Sequence, residues 1–227
     1  MIRPIMPTPS STRAGWPIVT LLLSTILTLI YLWQSGLDAY QDSLVVHVYG
    51  LLPAHLWGLR IPPTHLQVIP PVATLITAQF LHGGIGHLLG NVVALMLVGP
   101  ATERASGRLR YLIVFLVAGA LGLLVEAAAT PSSVIPIIGA SAAVAGVIGA
   151  LARRDPGARV RLPWIGRTGP RLASIPALPL IATWLVLQTA GVAFAADQPV
   201  AFLAHGAGFV AGMILVGGRR PTLRLMT

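Results

Sequence analysis

No cysteine and no lysine occur in the 227 residues, and only 9% of them are charged. The lack of cysteine excludes disulfides, thiol nucleophiles and cysteine-ligated zinc, and leaves the redox compartment open. The shortage of charge excludes an ordinary soluble domain, whose solvated surface needs about 25% charged residues. What the chain has instead is apolar: 55% of residues are hydrophobic, mean hydropathy is +0.81, and long apolar runs recur. Such a sequence reads as an integral membrane protein.

All fifteen basic residues are arginine, and the net charge is +9. In a soluble domain that balance would suggest nucleic acid. Here its distribution describes orientation in the bilayer, so no nucleic-acid partner is expected. A helix needs about 20 apolar residues to cross about 30 Å of hydrocarbon. Six segments meet or approach that length: 16–33, 85–101, 111–129, 136–152, 175–196 and 200–218. Arginines flank them before the first span, between the second and third, between the fourth and fifth, and after the sixth. Fourteen of the fifteen therefore share one side, with Arg60 alone on the other. The excess marks the cytoplasmic side, which places both termini there. The first span is longer than a signal-peptide core and lacks a small-residue cleavage site, so a retained anchor is expected. Residues 1–15 are rich in Pro, Ser and Thr and are expected to be a short disordered tail. The membrane domain covers 16–218, and 219–227 form a basic cytoplasmic tail.

The fold class predicted is thus an all-α membrane protein, a six-helix bundle with a long outer loop between helices 1 and 2. That loop, 34–84, mixes apolar residues with prolines and carries His47, His55, Trp57 and His65. Its composition suits short helices lying at the membrane interface.

Polar groups inside spans are expensive, and those here are few. His87 and Asn91 are four residues apart on the second span, hence on one face. Ser141 is sixth from residue 136 and His205 sixth from residue 200, each about 7–8 Å below its helix start at 1.5 Å per residue. The three spans run the same way, so four polar side chains share one level. Two rows of small residues say which helices touch: Ala142, Gly146 and Ala150 on the fourth span, and Ala204, Gly208 and Gly212 on the sixth. Their approach would bring Ser141 toward His205, a nucleophile within reach of a base.

Other intramembrane chemistries lack their residues. There is no H-E-x-x-H, and His82 and His87 at i, i+5 would diverge on a helix. No embedded pair of aspartates offers an acid dyad. Gly206-x-Gly208-x-x-Ala211 mimics a dinucleotide fingerprint but has no preceding strand, and is read as helix packing. No cofactor and no metal is implied.

Three motifs in order give the chain a wider likeness. The first is His82-x4-His87-x3-Asn91, with Glu103 twelve residues on and Gly107 after it. The second is Gly139-Ala140-Ser141, and the third His205-x2-Gly208-x3-Gly212; Tyr49-Gly-Leu-Leu-Pro53 adds to them. Over residues 45–217 the chain resembles the rhomboid family of intramembrane serine proteases. The resemblance implies Ser141 as nucleophile and His205 as general base and later acid. It implies an oxyanion hole of His87, Asn91 and the Ser141 backbone N–H, and His82 as a brace for the outer loop. Gly139, Gly208 and Gly212 would be structural supports. No acidic residue is expected to orient the histidine. The partners implied are a membrane-spanning protein substrate, cleaved near the outer half of the bilayer, and membrane lipid. A bacterial inner membrane is the expected location. Three positions depart from the family's pattern: Ala142 stands where Gly is usual, Ala145 where an aromatic is common, and Ala73-Thr74 where a Trp-Arg pair is common. The alternative reading is a catalytically silent rhomboid-like protein that binds membrane helices.

Overall fold

Apolar runs become helices here because only a helix satisfies its own backbone in hydrocarbon. The computed structural model describes residues 16–166, 169–177, 179, 182–183 and 202–218. Within them the chain forms α1 (Ile18–Gln34), α2 (Ala39–Tyr49), α3 (Pro53–Leu56), α4 (Thr74–Thr77), α5 (Ile85–Ser106), α6 (Arg108–Ala129), α7 (Ser141–Arg154), β1 (Arg159–Gly166), β2 (Gly169–Pro176) and α8 (Phe202–Leu215). Among the described residues, α5 and α6 are the two helices long and apolar enough to cross a membrane by length and composition; α1 and α8 are shorter apolar helices.

Local chemistry sets the boundaries. Asp38 caps α2 in a reciprocal capping box with Gln41, which satisfies two N–H groups the helix leaves unpaired. Gly107, at φ +85°, turns α5 into α6 in a single residue. That left-handed conformation is one L side chains rarely adopt. Beside this corner the Glu103 carboxylate accepts the N–H groups of Val19 and Thr20, at 3.1 and 2.9 Å, and the Thr20 hydroxyl at 2.9 Å. The start of α1 is thereby tied to the end of α5.

α7 lies at the centre. Every residue from Ala142 to Leu151 is buried, as expected of a helix apolar on all sides. Leu27 of α1, Leu95 of α5, Phe115 of α6 and Ile148 of α7 share the main core. On the opposite side of α6, Ile113, Val117, Leu121 and Val125 form an exposed apolar row at i, i+4 spacing. Such a stripe is the face a membrane helix offers to lipid. The segment from residue 35 to 84 contains α2, α3 and α4 and packs on the bundle. Trp57 donates from Nε1 to the Ala127 carbonyl at 2.9 Å, and the Thr77 hydroxyl donates to the Tyr49 carbonyl at 2.6 Å.

Three expectations need correction or fall outside the described residues. The fourth span does not begin at residue 136. Residues 136–140 are non-helical, Ile137 bridges in antiparallel fashion to Leu51, and Gly139 has φ +120°. Ser141 is therefore the first residue of its helix and not the sixth. The all-α expectation also fails locally. Residues 159–176, read as an arginine-rich connection and the start of a span, form a two-stranded antiparallel hairpin with Val160 opposite Ile175. Its base joins the main core through Ala158, Val160 and Ala177. Most of the expected fifth span, the start of the sixth at residue 200, and the tails 1–15 and 219–227 lie outside the described residues.

Candidate active site

α5, α7 and α8 begin at the same end of the bundle, where α6 finishes. Arg104, Arg110 and Arg154 lie at the other end, where Arg110 and Arg154 donate to the carbonyls of Val216 and Gly218. The polar residues singled out from sequence gather at the first end. Ser141 opens α7, and His205 is the fourth residue of α8. Nε2 of His205 lies 2.8 Å from Oγ of Ser141, within ordinary hydrogen-bond range.

Small residues create that approach. A Cβ added at Gly208 would collide with the Ala142 carbonyl, and one at Gly212 with the Gly146 carbonyl. Gly149 meets the Phe209 carbonyl in the same way. The two small-residue rows therefore form the α7–α8 contact itself, and Gly208 serves packing in place of a dinucleotide turn.

The Ser–His pair faces a cavity of about 440 Å³, also lined by His87, Glu126, Gly139 and Ala142. His87 is exposed, and the space it faces is this cavity. Gly139 stands directly behind its ring: a Cβ there would be 2.5 Å from the imidazole. Asn91 sits one turn further along α5, only 2% exposed, and among the described residues its amide nitrogen has no hydrogen-bond partner. A buried donor left without an acceptor is rare and costly in a folded core. His82 is buried behind the cavity. Its backbone N–H donates to the Gln34 side chain at 3.2 Å, and its ring meets His87 edge-on at 5.1 Å. It thus links the end of α1 to the cavity wall.

Because α7 starts at Ser141, the N–H groups of its first turn have no acceptor within the helix. They carry the positive end of the helix dipole, which favours a negative charge placed there. Sequence reasoning, which put Ser141 sixth in its span, missed this; the signal was Pro136 and Gly139 inside an apolar run. Ala142, which departs from the family's pattern, lines the cavity. Its methyl packs toward Gly122 of α6, where a second Cβ would be 2.9 Å away.

A family model described as the rhomboid domain matches residues 71–220. The chain belongs to the rhomboid family. Relatives include Rhomboid protease GluP of Bacillus subtilis (strain 168), 43% identical over 77 residues that make up 34% of this chain and 15% of that protein. Rhomboid-related protein 1 of Caenorhabditis elegans is 42% identical over 70 residues, 31% of this chain and 19% of the relative. RHOMBOID-like protein 7 of Arabidopsis thaliana is 27% identical over 141 residues, 62% of this chain and 41% of the relative. The matched regions thus cover less than half of each of these relatives. Rhomboids are membrane proteins, in keeping with the apolar helices described above.

Proposed function

We propose that this rhomboid is an intramembrane serine endopeptidase that uses Ser141 and His205 as a catalytic dyad. The observation that carries the reading is the 2.8 Å approach of His205 Nε2 to Ser141 Oγ at a cavity with room for water and a peptide segment. Ser141 donates its hydroxyl proton to Nε2 while Oγ attacks the peptide carbonyl carbon. The new C–O bond drives the carbonyl electrons onto oxygen. The imidazolium then passes its proton to the leaving nitrogen as the C–N bond breaks. Water entering the cavity hydrolyses the acyl-enzyme by the reverse proton route, returning Ser141 to its hydroxyl form.

The developing oxyanion is held by the Ser141 N–H at the start of α7, by His87 in the cavity wall and by Asn91. Asn91 is not among the residues lining the cavity, so this role requires it to move toward the oxyanion. Its amide nitrogen, buried without a partner among the described residues, is the donor that would gain from doing so. A dyad without an aspartate relies more on such preset donors than a triad does.

The substrate proposed is a membrane-spanning protein whose helix unwinds at the level of Ser141. Six spans with both termini in the cytoplasm put that level in the outer half of the bilayer of a bacterial inner membrane. Support for this orientation comes from the arginines gathered at the end of the bundle opposite Ser141. Cleavage of a model membrane substrate in liposomes tests the reading. Ser141→Ala and His205→Ala should each abolish it, and the double variant should lose no more, because the pair acts as one unit. Cleavage that survives in Ser141→Ala would reject the dyad.

A further inference from the structure

Glu126 and Gly122 lie one turn apart on the face of α6 that meets α8, and both grip Ala204, the residue before His205. Oε2 of Glu126 accepts the Ala204 N–H at 3.0 Å. At Gly122 the missing side chain lets α6 close on the same residue from its other end: an added Cβ would sit 2.5 Å from the Ala204 carbonyl oxygen. Ala204 is only 1% exposed. It is the third described residue of α8. The Glu126 carboxylate thus gives the Ala204 amide a charged acceptor, and hydrogen bonds to a charged group are the stronger kind. Glu126 also lines the cavity that holds Ser141 and His205.

We propose that Glu126 is a positioning residue for the base. By holding the Ala204 amide it fixes the rotation and depth of α8 at this level, and with them the line from His205 Nε2 to Ser141 Oγ. The acid acts on the backbone beside the histidine. The inference rests on the dyad reading, since it assigns Glu126 a role in that pair's geometry.

Reach and charge separate cleanly at this position. Glu126→Gln keeps a side-chain oxygen at the same length and loses the charge. Glu126→Asp keeps the charge and retracts the acceptor by about 1.5 Å, past hydrogen-bond distance. In the full chain in liposomes, Glu126→Gln should stay within about threefold of wild-type kcat, because its acceptor still reaches. Glu126→Asp and Glu126→Ala should lose about 10- to 100-fold in kcat with KM nearly unchanged, the pattern of a misplaced catalytic group. Amide hydrogen exchange over 202–206 should rise in the Asp and Ala variants and remain slow in Gln. An active Asp variant beside an inactive Gln variant would overturn the inference, as would slow exchange at Ala204 in Glu126→Ala. Exchange does not depend on turnover. A wild type with no Ser141-dependent cleavage but the predicted exchange pattern would therefore fail the dyad alone.

Discussion

A methyl group at Gly122 is the smallest change that presses on both halves of the site at once. Built on the observed backbone, it would lie 2.5 Å from the Ala204 oxygen and 2.9 Å from the Ala142 Cβ. Ala204 precedes His205 and Ala142 follows Ser141. Uncharged atoms settle at about 3.5 Å or more, so the neighbours must withdraw by roughly 1 Å and 0.6 Å. If half of the larger displacement reached the dyad, its 2.8 Å separation would open to about 3.3 Å, where an O–H···N bond is weak. Gly122→Ala should therefore cost about 1–3 kcal/mol of stability through overpacking. It should also lower kcat by about 10-fold, since a misplacement of about 1 Å costs about 100-fold and about half that displacement reaches the dyad. The assay is single-turnover cleavage of a fluorescent membrane substrate in liposomes, normalised to folded protein by thermal unfolding. Wild-type kcat with an unchanged Tm would refute the claim that α6 packs against this level so tightly.

Three further outcomes follow from the same contacts. Asn91→Ala should cut cleavage by about 100- to 1,000-fold and leave a measurable remainder, because other oxyanion donors persist; a wild-type rate would remove Asn91 from the hole. Glu103→Ala strips the acceptor from the Val19 and Thr20 amides and the Thr20 hydroxyl. It should lower stability by about 1–3 kcal/mol for each buried donor left unpaired, read as a fall in Tm with kcat of the folded fraction preserved. Ala142→Gly should keep cleavage near wild type at a cost of up to about 1 kcal/mol, since the methyl has a place against Gly122; a large rate increase would show that it crowds the oxyanion instead.

The meeting of Ser141 and His205 was legible from spacing, because small residues four apart on two helices leave few ways to pack them. Gly208 and Gly212 lie against the backbone of α7 as that pattern requires. The start of α7 was not legible by hydropathy. The stretch 136–140 is as apolar as a helix, yet Pro136, Gly139 at positive φ and the pairing of Ile137 with Leu51 keep it out of the helix. The hairpin was missed for a related reason. Six arginines between two apolar runs dominated the reading, while the alternation Arg159-Val160-Arg161-Leu162 carried a period of two. The part played by Glu126 had no sequence signal at all. Its partner is a backbone amide, and no side-chain motif announces one.

Labelling by a fluorophosphonate probe tests most directly whether Ser141 is an activated nucleophile. In liposomes the wild-type protein should acquire one phosphonyl group, mapped by mass spectrometry to Ser141. His205→Ala should label slower by orders of magnitude, because the hydroxyl then has no base at 2.8 Å. No labelling of folded wild-type protein, or labelling at Ser141 that is equally fast in His205→Ala, would contradict the account.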